Sequence, residues 1–242
     1  MTSVLAEAIR EGLAAQARPD KAAAMQRYMK TDMPFLGVPA PTTAAVLREA
    51  LAHHPVAGRA ELERTVRLLF EEATYREEWY AATGLLRRPA HARLLTPDSV
   101  ELIAWIALRG AWWDVVDSLV RPLRTLLVAY RPRVELEIRT WIGGDELWLR
   151  RLSLICQLGR RERTDVTLLS DAIEAAQHDP EFFLRKGIGW ALRDYSKTDA
   201  DWVRAFVEAH PTLSPLSRRE ALRWLARREA RDAPRHAGRR GR

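Results

Sequence analysis

Three segments of the chain place aromatic rings, carboxylates and cations at spacings that could do chemistry. The first is GAWWDVVDSLVRPLRTL, Gly110 to Leu126. Gly110 predicts the end of one helix, and Asp114 falls in the first turn of the next, where a carboxylate favours the helix N-terminus and has a structural use. Trp113 and Asp117 lie four apart, hence on one face. The residues alone leave two readings open. Asp117 pairs with Arg121 at the next i,i+4 position and the tryptophans fill core, or indole and carboxylate are presented together to a ligand.

The second segment is ELWLRRLSLICQL, Glu146 to Leu158. A helical wheel puts Arg150 with Glu146, Ser153 and Gln157, towards water. Arg151 falls instead among Leu147, Trp148, Leu154, Ile155 and Leu158. A cation in that setting needs a partner, either a buried acid or an anionic ligand. The third segment is EFFLRKGIGWALRDYSKT, Glu181 to Thr198. Here Lys186, Trp190, Arg193 and Lys197 recur at steps of four, three and four and form one stripe. Cations around an indole suit a surface that meets phosphates and a sugar or base, and a solvated amphipathic face is the competing reading. Gly187 and Gly189 weaken the helix by ~0.5–1 kcal/mol each relative to alanine, and permit close approach of a backbone or ligand beside Trp190.

Composition narrows the chemistry. One cysteine, Cys156, rules out an internal disulfide, and the six histidines show no ligand spacing, so no metal and no cofactor are expected. The nucleotide-binding and hydrolase signatures GxGxxG, GxxxxGKS/T and GxSxG are missing. No apolar run reaches the roughly 18–20 residues that span a bilayer, and the N-terminus lacks a secretory core. The expectation is a cytoplasmic protein, nucleoid-associated through DNA, with no membrane contact. The net charge of +7 is unevenly spread. Residues 1–149 carry 19 basic and 19 acidic side chains, whereas residues 150–242 carry 20 and 13. Residues 231–242 read as a basic, disordered tail, of a composition that also binds phosphate backbones through counterion release.

Hydrophobic periodicity is helical almost everywhere, with no alternating strand pattern and no Asn-Gly or Asp-Gly turn. Proline, glycine and capping residues divide the chain into about a dozen helices of roughly 10–17 residues. Breaks fall near Pro19, Pro34–Pro41, Pro55–Gly58, Pro89–Pro97, Gly110, Pro132, Gly143–Gly144, Arg160–Thr164, Pro180, Thr198 and Pro211–Pro215. Helices so joined stack in pairs of about 35–40 residues, because one pair cannot bury its own apolar faces. The expected fold class is all-α, a HEAT-like helical-repeat solenoid with a concave face, as one domain over residues 1–230. An irregular helical bundle is the alternative.

In order and spacing, these segments resemble the AlkD family of bacterial DNA alkylation-repair glycosylases, which are HEAT-like repeat proteins. The likeness runs from YMKTDMPFLGVPAP (Tyr28 to Pro41) through REEWYAATGLL, WWDVVD, LWLRRLSLICQL and FFLRKGIGWALRDYSKT to LSPLSRREAL (Leu213 to Leu222). The resemblance implies that Trp113 and Asp117 are an active-site indole and carboxylate, Arg151 a catalytic arginine, Trp190 a second active-site tryptophan and Tyr28 a DNA-contacting aromatic. Lys186, Arg193 and Lys197 would then hold phosphates. It implies a monofunctional glycosylase, acting as a monomer on double-stranded DNA with alkylated purines. It further implies that the lesion is held within the duplex rather than in a base-specific pocket, so that large alkyl groups are accepted alongside methyl. Two other readings compete: a non-catalytic binder of damaged or branched DNA, and a helical scaffold for protein partners.

Overall fold

A computed structural model describes residues 3–232, all helix and connecting loop with no strand among them. The basic tail expected over residues 231–242 lies outside the described residues beyond Asp232. Two compact units divide the chain, the first ending at Glu137 and the second beginning at Ile138.

The first unit holds α1 (Val4–Ala15), α2 (Pro19–Met29), α3 (Ala40–His53), α4 (Arg59–Glu71), α5 (Arg76–Leu86), α6 (Pro89–Ala92), α7 (Ser99–Gly110), α8 (Trp113–Ser118) and α9 (Val120–Ala129). The unit boundary falls inside α10 (Arg131–Ile142). The second unit continues with α11 (Leu147–Ile155), α12 (Val166–Ala176), α13 (Phe182–Tyr195), α14 (Ala200–Ala209) and α15 (Pro215–Asp232). These boundaries follow the chain's punctuation. Pro19 and Pro89 open α2 and α6 at positions whose N–H would go unpaired anyway, and Asp165 and Asp199 cap α12 and α14 through their side chains.

Within each unit, alternate helices pack on one another. In the first, α1 packs on α3, α3 on α5 and α5 on α8; in the second, α11 packs on α13 and α13 on α15. Apart from the α5–α8 step, which passes over the four-residue α6 as well as α7, the stacking is of every second helix. A helical repeat requires this, since each helix buries one stripe against its predecessor. These two rows, one in each unit, carry most of the residues singled out from the sequence.

The segment expected to form a single helix after Gly110 is two. Pro122 has no N–H to give the carbonyl four residues earlier, and the chain breaks at Leu119, leaving Asp117 on α8 and Arg121 on α9. The wheel's placement of Arg150 is also corrected. Ser153 and Gln157 on its face are buried, because α12 covers them. Arg150 bridges to Asp179 at 2.5 Å and donates to the Ala175 carbonyl of α12.

The first turn of α5 is the chief surprise. Arg76, Glu77 and Glu78 are all buried. The Glu77 carboxylate accepts the backbone N–H groups of Leu36, Gly37 and Val38 at 3.0, 2.8 and 3.0 Å. Gly37, at φ 84°, lies so close to α2 that a Cβ would meet the Arg18 carbonyl at 2.0 Å. One carboxylate thus fixes the loop that seats the start of α2. Glu77→Ala would leave three amides without an acceptor and should cost about 3 kcal/mol or more. Denaturant unfolding should show the midpoint falling with the slope unchanged.

Candidate functional site

In the first unit the expected residues gather around α8. Trp113 opens the helix and Asp117 follows one turn later, both half-buried. Tyr28, on the last turn of α2, meets Trp113 edge to face with ring centroids 6.4 Å apart, and is itself 72% exposed. The two rings border an apolar hollow of about 630 Å³, lined in part by Met25, Met29, Phe35 and Leu47. No residue of α2 is buried, so its apolar side faces this hollow rather than packed core.

The two carboxylates of WWDVVD have different positions. Asp114 is locked, as its place in the first turn predicts. Its oxygens accept from Arg76 at 2.7 Å, from the Tyr80 hydroxyl at 2.6 Å and from the Val115 N–H at 2.8 Å. Arg76 in turn lies over the Trp79 ring, 4.7 Å from its centroid. Burial, the hydrogen bond to Asp114 and that residue's charge all raise the Tyr80 pKa, so the phenol stays protonated and donating. This network ties α8 to α5 and so orients Trp113 and Asp117. Tyr80 and Arg76 were not anticipated as site supports. The signal was REEWY itself, three charged residues ahead of aromatic core, which a surface reading passes over.

In the second unit, Arg151 is buried on α11, as the wheel places it. Its Nη1 donates to the Phe183 carbonyl in the first turn of α13 at 2.6 Å, and the guanidinium lies 5.9 Å from the Phe183 ring centroid. A backbone carbonyl as partner is a third solution beside the acid and the anion. Trp190 is half-buried on α13.

The stripe cations have protein partners. Lys186 and Arg193 both bridge to Glu220 of α15, Lys186 at 3.3 Å, and Arg223 approaches the same carboxylate at 3.7 Å. Lys197 pairs with Asp194 at 3.1 Å. Gly187 and Gly189 allow close approach, but of helices. A Cβ on Gly189 would sit 2.5 Å from the Glu220 Cβ and 3.1 Å from the Ser217 carbonyl. The glycine thereby brings Glu220 within reach of the stripe. That acid lies in the LSPLSRREAL segment, but nothing in its local spacing ties it to cations some thirty residues earlier.

An all-helical protein of stacked alternate helices, with an indole–carboxylate pair on one row and a tryptophan among cations on another, defines a class of helical-repeat proteins. The family model for the DNA alkylation repair enzyme matches residues 9–225, and the chain belongs to that family. A solved structure described as a predicted DNA alkylation repair enzyme from Enterococcus faecalis is 31% identical, covering 87% of this chain and 97% of that one with a TM-score of 0.79. No curated protein matches the chain. Among the described residues, no helix is long and apolar enough to cross a membrane.

Two outcomes follow from the supporting shells. Arg76→Met strands the Asp114 carboxylate in a buried site and should destabilise by about 3–5 kcal/mol, read as a lowered Tm. Glu220 gives a pH dependence. Burial works to raise its carboxyl pKa, but the Lys186 hydrogen bond and the charges of Lys186, Arg193 and Arg223 outweigh it and hold it below the ordinary 4.5. A depressed folded pKa adds stability that is fully present above the unfolded value and lost as pH falls through the folded one. Acid titration of stability should therefore be shallower below about pH 4.5 in Glu220→Gln than in wild type.

Proposed function

We propose that the protein is a monofunctional DNA glycosylase that hydrolyses the N-glycosidic bond of cationic N3- and N7-alkylated purines in duplex DNA, leaving an abasic site. Membership of the DNA alkylation repair enzyme family supports the setting. The observation that carries the chemistry is that Trp113 and Asp117 stand one turn apart on α8, both part-exposed, with Tyr28 edge to face on Trp113. Asp114 is committed to Arg76 and Tyr80, while Asp117 stands half-buried one turn from Trp113. The partial exposure of Asp117 beside Trp113 supports reading it as the acid that meets a substrate.

An alkylated purine of this kind already carries positive charge, so it leaves without help from a general acid. As the C1′–N bond breaks, its electron pair passes to the purine ring nitrogen and neutralises the base, and cationic character grows on the deoxyribose. The Asp117 carboxylate stabilises that charge in a partly desolvated setting. The indole face of Trp113, negative in its π density, favours the same cation. Water then bonds to C1′ through oxygen, and its proton passes to Asp117 or to solvent. The products are the neutral alkylpurine and a hydroxylated abasic sugar. Lysine plays no covalent part, which makes the enzyme monofunctional. Arg151 and the stripe cations Lys186, Arg193 and Lys197, the latter three paired with Glu220 and Asp194, lend positive potential toward phosphates, and Tyr28 extends the aromatic edge beside Trp113. The hollow behind these two rings leaves room for substituents larger than methyl.

The test is release of free alkylpurine from methylated duplex. Asp117→Asn should lower the single-turnover rate by roughly 10²–10³-fold, the scale on which one electrostatic stabiliser acts, with duplex affinity retained. An Asp117→Asn protein that excises at the wild-type rate would remove the proposal.

A further inference from the structure

The charge of the second unit is not where the stripe alone would put it. Lys186 and Arg193 are answered by Glu220, and Lys197 by Asp194. Helix α15 bears six arginines. Arg218 is spent on the Val207 and His210 carbonyls, and Arg228 and Arg231 pair with Asp232. Glu229 is taken by Arg204 of α14. Arg219 and Arg227 remain, both exposed, with no carboxylate in pairing distance among the described residues. With Arg223 between them, itself exposed and only loosely held by Glu220, they make a row in steps of four residues, each step rising about 6 Å along the helix.

This row points away from the buried edge of α15, where Ser217, Ala221 and Leu225 pack. The outward face offers arginine and alanine, with Ala226 and Ala230 the exposed apolar residues beside the row. A helix that inserts in a membrane surface needs large apolar groups on its free side, and no Leu or Trp is among the exposed residues of α15. A base-reading surface needs side chains shaped to base edges. A guanidinium also pairs with a guanine edge, but with no Asn or Gln on α15 to read other bases the row has little to discriminate sequence with, and it fits phosphates.

We infer that Arg219, Arg223 and Arg227 form a second nucleic-acid contact on α15, which grips the sugar–phosphate backbone of duplex DNA without regard to sequence or damage. The inference goes beyond the excision chemistry and takes from the proposed function only the identity of the polyanion. Its role is anchorage, holding the protein on undamaged duplex during search.

The experiment measures the affinity of the full chain for a short undamaged duplex between about 50 and 200 mM salt. Each lost phosphate contact removes about 0.9 from the slope of log affinity against log salt. Arg219→Gln/Arg227→Gln should therefore flatten it by about 2. The matched control is Arg48→Gln/Arg64→Gln, which makes the same charge change at exposed positions on α3 and α4, and it should flatten the slope far less. An unchanged slope in the α15 variant, or an equal change in the control, overturns the inference. So does binding to phosphatidylserine vesicles that the α15 substitutions abolish while duplex affinity stands. Should the wild-type protein release no alkylpurine, the glycosylase reading fails, yet the slope comparison still decides this one.

Discussion

The Arg76–Asp114 ion pair is the interaction on which the first unit's candidate site depends. Both side chains are almost wholly buried, and a buried ion pair offsets its desolvation only when further hydrogen bonds complete it. Tyr80 and the Val115 amide supply them. What the pair secures is orientation. Helix α8 has only six residues, too few to hold a fixed direction by itself. Tying its first turn to α5 decides which way Trp113 and Asp117 project.

The same turn of α5 organises the neighbouring loop. Glu77 gathers three consecutive amides, and Glu78 accepts the Thr74 and Tyr75 amides while pairing with Arg10 of α1 at 2.8 Å. Three adjacent charges therefore reach three different elements: α8, the loop before α3, and α1. Burying them is tolerable because each is matched. The result is a hub of buried charges inside a largely apolar stack of helices. The second unit has a smaller counterpart. Gly189 admits the backbone of α15, and Glu220 then reaches Lys186 and Arg193 on either side of Trp190. A carboxylate so placed keeps like charges together on one helix face, and leaves the positive potential of α15 to its outer arginines.

Much of this was legible in the sequence. Helical periodicity with proline, glycine and aspartate punctuation determined the fold class and most helix boundaries, because caps and breakers act within a few residues of themselves. The four-residue spacing of Trp113 and Asp117 placed them on one face, and the apolar surroundings of Arg151 in LWLRRLSLICQL placed its side chain inside. The structural use of Asp114 followed from its position in a first turn. Each is a local property of the chain. The ordered likeness of several such segments was enough to point to the repair family that the family model over residues 9–225 then established.

Tertiary structure decided what lay beyond that reach. Nothing within a few residues of REE says that all three charges are buried, since these partners lie from 38 to 68 residues away, at Asp114, at the Leu36–Val38 amides and at Arg10. Arg150 was assigned to water because its own helix allowed it, and α12 covered that face instead. Glycines 187 and 189 announced a close approach without naming what approaches, and the stripe's cations gave no sign of Glu220. Backbone periodicity fixes which way a side chain leaves its helix. Only the packing of one helix on another fixes whether it meets solvent, a carbonyl or an opposite charge.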